Sequence, residues 1–142
     1  MLGVIRSNSD LIVRDTGTIK GRGVFAGNAY PPGALVEVSP VSMVEGLWEA
    51  LPLALRAVVY DWGHLSGSPR QDLHGIALGV GSLFNHSPTP NLVYSADVER
   101  LALVFTAAHG IEAGEELTID YDADVRPGEV GWFNAMGLVP HS

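Results

Sequence analysis

The chain has 142 residues, 46 % of them hydrophobic, the common size of one domain and enough apolar matter for one core. It contains no cysteine, which excludes disulfides, thiolate zinc sites and cysteine nucleophiles together, so catalysis must use oxygen and nitrogen groups. A formal net charge of −8 argues against a phosphate-backbone binder, because sequence-independent nucleic-acid affinity comes from clustered Lys and Arg, and an acidic surface suits a basic partner or simply solubility.

Taken in chain order, the N-terminal "MLGVIRSNSDLIV" lacks a secretory apolar core. No apolar run reaches the roughly 18 to 20 residues of a membrane span, so a soluble intracellular protein is expected, cytoplasmic if bacterial. Gly and Pro then cut the sequence into short apolar stretches: Leu11 to Val13, Val24 to Ala26, Ala34 to Val38, Ile76 to Leu78, Leu92 to Tyr94, Leu101 to Thr106 and Leu117 to Ile119. Most are rich in Val, Ile, Phe or Tyr and bounded by turn residues, which predicts short strands and a mostly β protein. The helical candidate is Val44 to Tyr60, "VEGLWEALPLALRAVVY", where Pro52 should end or restart a helix, leaving one or two short ones. The C-terminal "DVRPGEVGWFNAMGLVPHS" is too apolar for a disordered tail, and Trp132, Phe133, Met136 and Leu138 are expected to pack. With neither a repeat nor a linker, residues 1–142 read as a single domain.

Several familiar motifs fail. Gly21, Gly23 and Gly27 have GxGxxxG spacing, and Pro31 and Pro32 follow where a phosphate-cradling helix should begin. "GVGSLFN" is not a G-x-S-x-G elbow. The histidines at 64, 74, 86, 109 and 141 show no metal-ligand spacing, so no dedicated metal site is expected.

Three other segments belong together: "GRGVFAG" at 21–27, "LGVGSLFNHSPTPNLVY" at 78–94 and "TAAHGIEAGEELTIDY" at 106–121. In content, order and spacing they resemble the SET-domain family of protein lysine methyltransferases, over a core of about residues 17–122. The resemblance implies a fold of several small β-sheets with short helices, in which the Asn-His-Ser segment and the final Tyr segment meet through a pseudoknot-like crossing. Such threading is rare among proteins.

It also implies S-adenosylmethionine as cofactor, with Arg22, Gly23, Phe25, Asn85 and His86 as the residues that hold it. That ligand carries an amino group, a carboxylate, an adenine and a sulfonium, and a short bent segment offering amide, imidazole and backbone groups can fix several of these at once. Ser87 and Asn91 are expected to hold the crossing together. Tyr121 aligns with the family's catalytic tyrosine, and Tyr94 with a position lining the lysine channel in some members; Tyr60 and Trp62 in "VVYDWG" either complete that channel or pack in the core. An apolar channel matters because the attacking lysine must be neutral, and neutralising a group of pKa about 10.4 at pH 7 costs roughly 4 to 5 kcal/mol.

No cysteine stands between Tyr121 and Ser142, so the Cys-rich zinc-binding segment that follows the catalytic tyrosine in many family members is expected to be absent. "GEVGWFNAMGLVP" occupies its place, and Trp132 and Phe133 in residues 123–142 either cover the cofactor and substrate site or pack on the outer face. The chain is similar to the minimal stand-alone members, for which targeting comes from the domain surface or from a homodimer. The expected activity is methyl transfer to a lysine in a basic protein segment, histone-like or ribosomal, bound as an added strand. The alternatives are a catalytically inactive peptide-binding or oligomerising module of the same fold, and an unrelated small β-rich hydrolase or ligand-binding domain.

Overall fold

The computed structural model describes residues 10–123. The elements are β1 (Leu11–Asp15), β2 (Arg22–Ala26), β3 (Leu35–Glu45), a 3-10 turn (Trp48–Ala50), α1 (Leu53–Arg56), β4 (Val59–Tyr60), α2 (Trp62–Leu65), β5 (Leu73–Ala77), β6 (Asn85–His86), β7 (Leu92–Asp97), β8 (Ala102–Ala107) and β9 (Glu116–Ile119). Each of the seven apolar stretches falls on a strand, with Ala34, Leu78 and Leu101 one residue beyond its end. Strand β3 runs further than its apolar run, to Glu45, because Val41–Glu45 pairs residue for residue with β5. That ladder takes Val44 and Glu45 out of the expected helical stretch, and Gly46, at φ +143°, ends the strand. Pro52 restarts a helix as its N-cap, ahead of α1.

The strands form two sheets. One has the order β1-β2-β9-β6, the other β4-β5-β3-β8-β7. Pairing is antiparallel except between β6 and β9, where Asn85 lies beside Thr118 and His86 beside Ile119 in parallel register. A parallel pair needs a long connection, and here everything from β7 to β8 intervenes. The Asn-His-Ser segment and the final Tyr segment therefore meet across more than thirty residues of chain, as the family resemblance implies.

Between the sheets lies the core, with Val24, Val36, Phe84, Leu92, Leu103, Phe105, Leu117 and Ile119 almost fully buried. On β9, Leu117 and Ile119 point into it, so the two-residue period turns Glu116 and Thr118 to the opposite face. Among the described residues no helix is long and apolar enough to cross a membrane.

Candidate active site

Three stretches of chain converge on the face of the first sheet that carries Glu116. The antiparallel register sets Phe25 of β2 opposite Glu116, and the parallel one sets Asn85 opposite Thr118. Gly23 sits where all three touch: a Cβ there would stand 2.5 Å from Glu116 Oε2 and 2.8 Å from Asn85 Nδ2. Only a glycine leaves room for both side chains.

The Asn85 amide nitrogen donates to the Arg22 carbonyl at 3.1 Å and to Glu116 Oε2 at 2.7 Å. Both partners are acceptors, which fixes the amide's orientation: the NH2 faces Arg22 and Glu116, and Oδ1 turns away from them; the ground between Gly23, Asn85, Glu116 and Lys20 forms a niche. Lys20, carried by the turn between β1 and β2, brings Nζ to 3.8 Å from Glu116 Oε1. Asn91 ties the crossing from behind, its Nδ2 donating to the Glu116 carbonyl at 2.8 Å while its Oδ1 accepts from Thr118 N–H at 2.9 Å. Ser87 N–H donates to the Ile119 carbonyl. The Asn91 amide thus holds the two segments together, whereas the Ser87 hydroxyl, expected to do the same, accepts locally from Thr89 N–H at 3.1 Å and leaves the crossing to the Ser87 backbone.

Tyr121 begins just past β9. Its N–H donates to His86 Nδ1 at 3.0 Å, its phenol donates to the Phe84 carbonyl at 2.9 Å, and its ring lies 5.1 Å from the imidazole. Burial, and secondarily the Glu116 carboxylate, push the Tyr121 phenol up to about 12, so it remains protonated at neutral pH. His86 is buried, and because Nδ1 accepts a hydrogen bond the neutral ring carries its proton on Nε2. Asp120 Oδ1 stands 3.7 Å from Nδ1 and by itself would favour the charged ring. Burial outweighs Asp120 and Asp122 and holds the histidine below its ordinary value, with Lys20 pushing the same way.

On the other side of Phe84 lies an aromatic cluster. Phe84 and Phe105 are 4.8 Å apart; Tyr94 lies 6.0 Å from Phe105; Tyr60 meets Tyr94 edge-on at 5.3 Å and Phe105 at 6.4 Å. Tyr60 and Tyr94 belong to β4 and β7, the opposite edges of the five-stranded sheet, so that sheet must curl until its edges approach. The Tyr60 hydroxyl donates to the Gly81 carbonyl at 2.8 Å. Burial, then the phenols of Tyr94 and Tyr121, push Tyr60 well above its ordinary range, which places the three phenols in one neighbourhood.

Of the residues singled out in the sequence, the fold brings together Arg22 through its carbonyl, Gly23, Asn85, His86 and Tyr121, with Tyr94 and Tyr60 adjoining. Phe25 is adjacent, but the Arg14 guanidinium covers its ring at 3.6 Å. Trp62 is 4 % exposed and packs with the core beside Gly75. Trp132 and Phe133 lie outside the described residues. Sequence reasoning missed Glu116, Lys20, Phe84 and Phe105. Period-two alternation in "EELTI" puts Glu116 on the face opposite Leu117, but the strands that flank it are set by non-local pairing.

A SET domain family model matches residues 21–122. The chain belongs to the SET domain family of protein lysine methyltransferases. It is 36 % identical, over 121 residues, to the histone-lysine N-methyltransferase, H3 lysine-37 specific, of Schizosaccharomyces pombe, covering 83 % of this chain and 76 % of the relative. Among solved structures, a Plasmodium falciparum candidate histone methyltransferase superposes with a TM-score of 0.61 at 21 % identity, over 78 % of this chain and 96 % of that one. CpSET8 from Cryptosporidium gives a TM-score of 0.57 at 24 % identity, over 82 % and 59 % of the two chains. At these identities the structural likeness is one of fold.

The niche fits the cofactor of this family. The acceptor oxygen of the half-buried Asn85 and the cation of Lys20 suit the two charges of an amino-acid end, and the buried Gly23, lacking a Cβ, lets Asn85 and Glu116 meet there.

Proposed function

We propose that this protein transfers the methyl group of S-adenosylmethionine to the side-chain amine of a lysine in a basic protein segment, with a histone as the substrate class. The observation that carries this reading is the junction of the Asn85–His86 segment with Tyr121 beside the Tyr60, Tyr94 and Phe105 rings. One side of Phe84 offers polar groups for the donor, the other an apolar, phenol-bearing recess for the amine.

S-adenosylmethionine supplies a methyl group on a cationic sulfur, ready for in-line displacement. The chain's part is to hold and orient. Asn85 and backbone groups of the Arg22–Gly23 and Asn85–His86 segments bind the donor; His86 fixes Tyr121 through Nδ1; Tyr121, anchored on the Phe84 carbonyl, sets the position of the acceptor amine. With its phenol proton retained, Tyr121 serves as a hydrogen-bonding and packing group rather than a base. The aromatic rings exclude water from the amine and so favour its neutral, attacking form. The net charge of −8 suits a basic substrate, and the histone H3 specificity in the name of the Schizosaccharomyces pombe relative supports a histone. An extended peptide added to a sheet edge beside the recess is the binding mode these elements favour, β4 and β7 being edge strands that each carry one of its tyrosines.

The test is transfer of labelled methyl from S-adenosylmethionine to a mixture of histones and ribosomal proteins, by the wild type and by Tyr121→Phe. Labelled lysine in a histone, strongly reduced in the variant, is expected. Cofactor binding without transfer to any protein would favour a peptide-binding module, and absence of cofactor binding would overturn the reading.

A further inference from the structure

Glu116 lies outside the core and takes no part in the donor and acceptor roles proposed above, yet its carboxylate meets Asn85, Lys20 and the bare Cα of Gly23. Its side chain is only 20 % exposed, and its two oxygens face Asn85 Nδ2 at 2.7 Å and Lys20 Nζ at 3.8 Å. Its backbone carbonyl is held by Asn91, so the residue cannot drift along the strand.

An asparagine amide has two faces of similar shape and opposite hydrogen-bonding sense, and only its neighbours decide which one a ligand meets. At Asn85 the Arg22 carbonyl and the Glu116 carboxylate both demand the NH2, and the charged acceptor is the stronger of the two. We propose that Glu116 is a positioning residue that acts through Asn85, locking its amide so that Oδ1 is presented as an acceptor for the ammonium group at the cofactor's amino-acid end. This rests on the reading of the Asn85–His86 segment as the cofactor site. Discrimination follows: the niche selects ligands that keep the amino acid, and Glu116 contributes nothing to recognition of the nucleoside.

Calorimetric titration with two probes tests this. S-adenosylhomocysteine keeps the amino-acid end; 5′-methylthioadenosine lacks it. For Glu116→Leu, affinity for S-adenosylhomocysteine is expected to fall by roughly tenfold or more, the worth of a hydrogen bond to a charged group, while affinity for 5′-methylthioadenosine stays within about twofold. Glu116→Gln keeps an acceptor for Asn85 and should recover most of the loss. Equal weakening of both probes, or none, would overturn the proposal, as would a Gln variant no better than Leu.

A measurement on the wild type keeps the question open to refutation should the Leu variant fail to fold. The side-chain amide protons of Asn85, followed by NMR, should stay on their inward partners when S-adenosylhomocysteine binds; reorientation toward the ligand would contradict the proposal. A wild type that binds neither probe would instead defeat the reading of the cofactor site.

Discussion

Burial keeps the Tyr121 phenol protonated and shifts His86 towards its neutral form, and the two are bonded to one another. For Tyr121 the consequence is kinetic. With its phenol at about 12, no part of a pH–rate profile below about pH 10 reports its ionisation. The rate should climb with pH as the substrate amine loses its proton, and a Tyr121→Phe variant should keep that slope while falling in kcat by roughly 10²-fold, since it loses the anchor on Phe84 that sets the acceptor geometry. A rate limb that disappears with the phenol would contradict this.

For His86 the consequence is thermodynamic. Its folded pKa lies below the ordinary 6.5, so between the two values the unfolded chain binds more protons than the folded one. The contribution to stability is fully present above about pH 6.5 and is lost as pH falls toward the folded value. Urea unfolding from pH 7.5 down to pH 5 should show this decline, and His86→Asn should flatten it.

At the scale of elements, what matters is how closely strands and loops approach, and two glycines set the limits. Gly23→Ala would drive a Cβ into Glu116 and Asn85, the two side chains that build the niche. We expect a folded protein whose affinity for S-adenosylhomocysteine falls at least tenfold, read by calorimetry. Gly81→Ala is of another kind. Its Cβ would stand 2.8 Å from both Ala77 Cβ and Ser39 Cβ, inside the core, and would displace the carbonyl that anchors Tyr60. Overpacking of this sort typically costs about 1 to 3 kcal/mol, measurable as a lowered urea midpoint.

The same elements show what the sequence could reveal. Runs of Val, Ile and Phe bounded by turn residues located the strands because side-chain packing on a pleat is local information. Strand β3 overran its expected end, and β4 and β6 went unread, because two-residue strands and a strand through "VSMVE" exist only by virtue of partners far along the chain.

Over the whole molecule, the site depends on two long-range events: the parallel seam of β6 with β9, and the curl that brings β4 towards β7. Neither has a periodic signature. The residues that meet there, Asn85, His86 and Tyr121, were legible only through the joint motif, whereas Glu116 and Phe105, which no motif flagged, needed the register. Composition adds a prediction at this scale. Lys20 is the single lysine among 142 residues, and its side chain is 13 % exposed against Glu116. These 142 residues offer the activity one lysine, held against Glu116, so intact-mass spectrometry after prolonged incubation with S-adenosylmethionine should show no added methyl group on the enzyme, even at concentrations that favour encounters between copies.

The claim on which the rest depends is that the donor binds where residues 22–23, 85–86 and 121 converge. At 15.1 kDa the protein suits amide NMR, and titration with S-adenosylhomocysteine tests that claim directly. The account predicts saturable shifts centred on Gly23, Asn85, His86 and Tyr121, with β5 and α2 unaffected. Shifts centred elsewhere, or none at millimolar ligand, would contradict it.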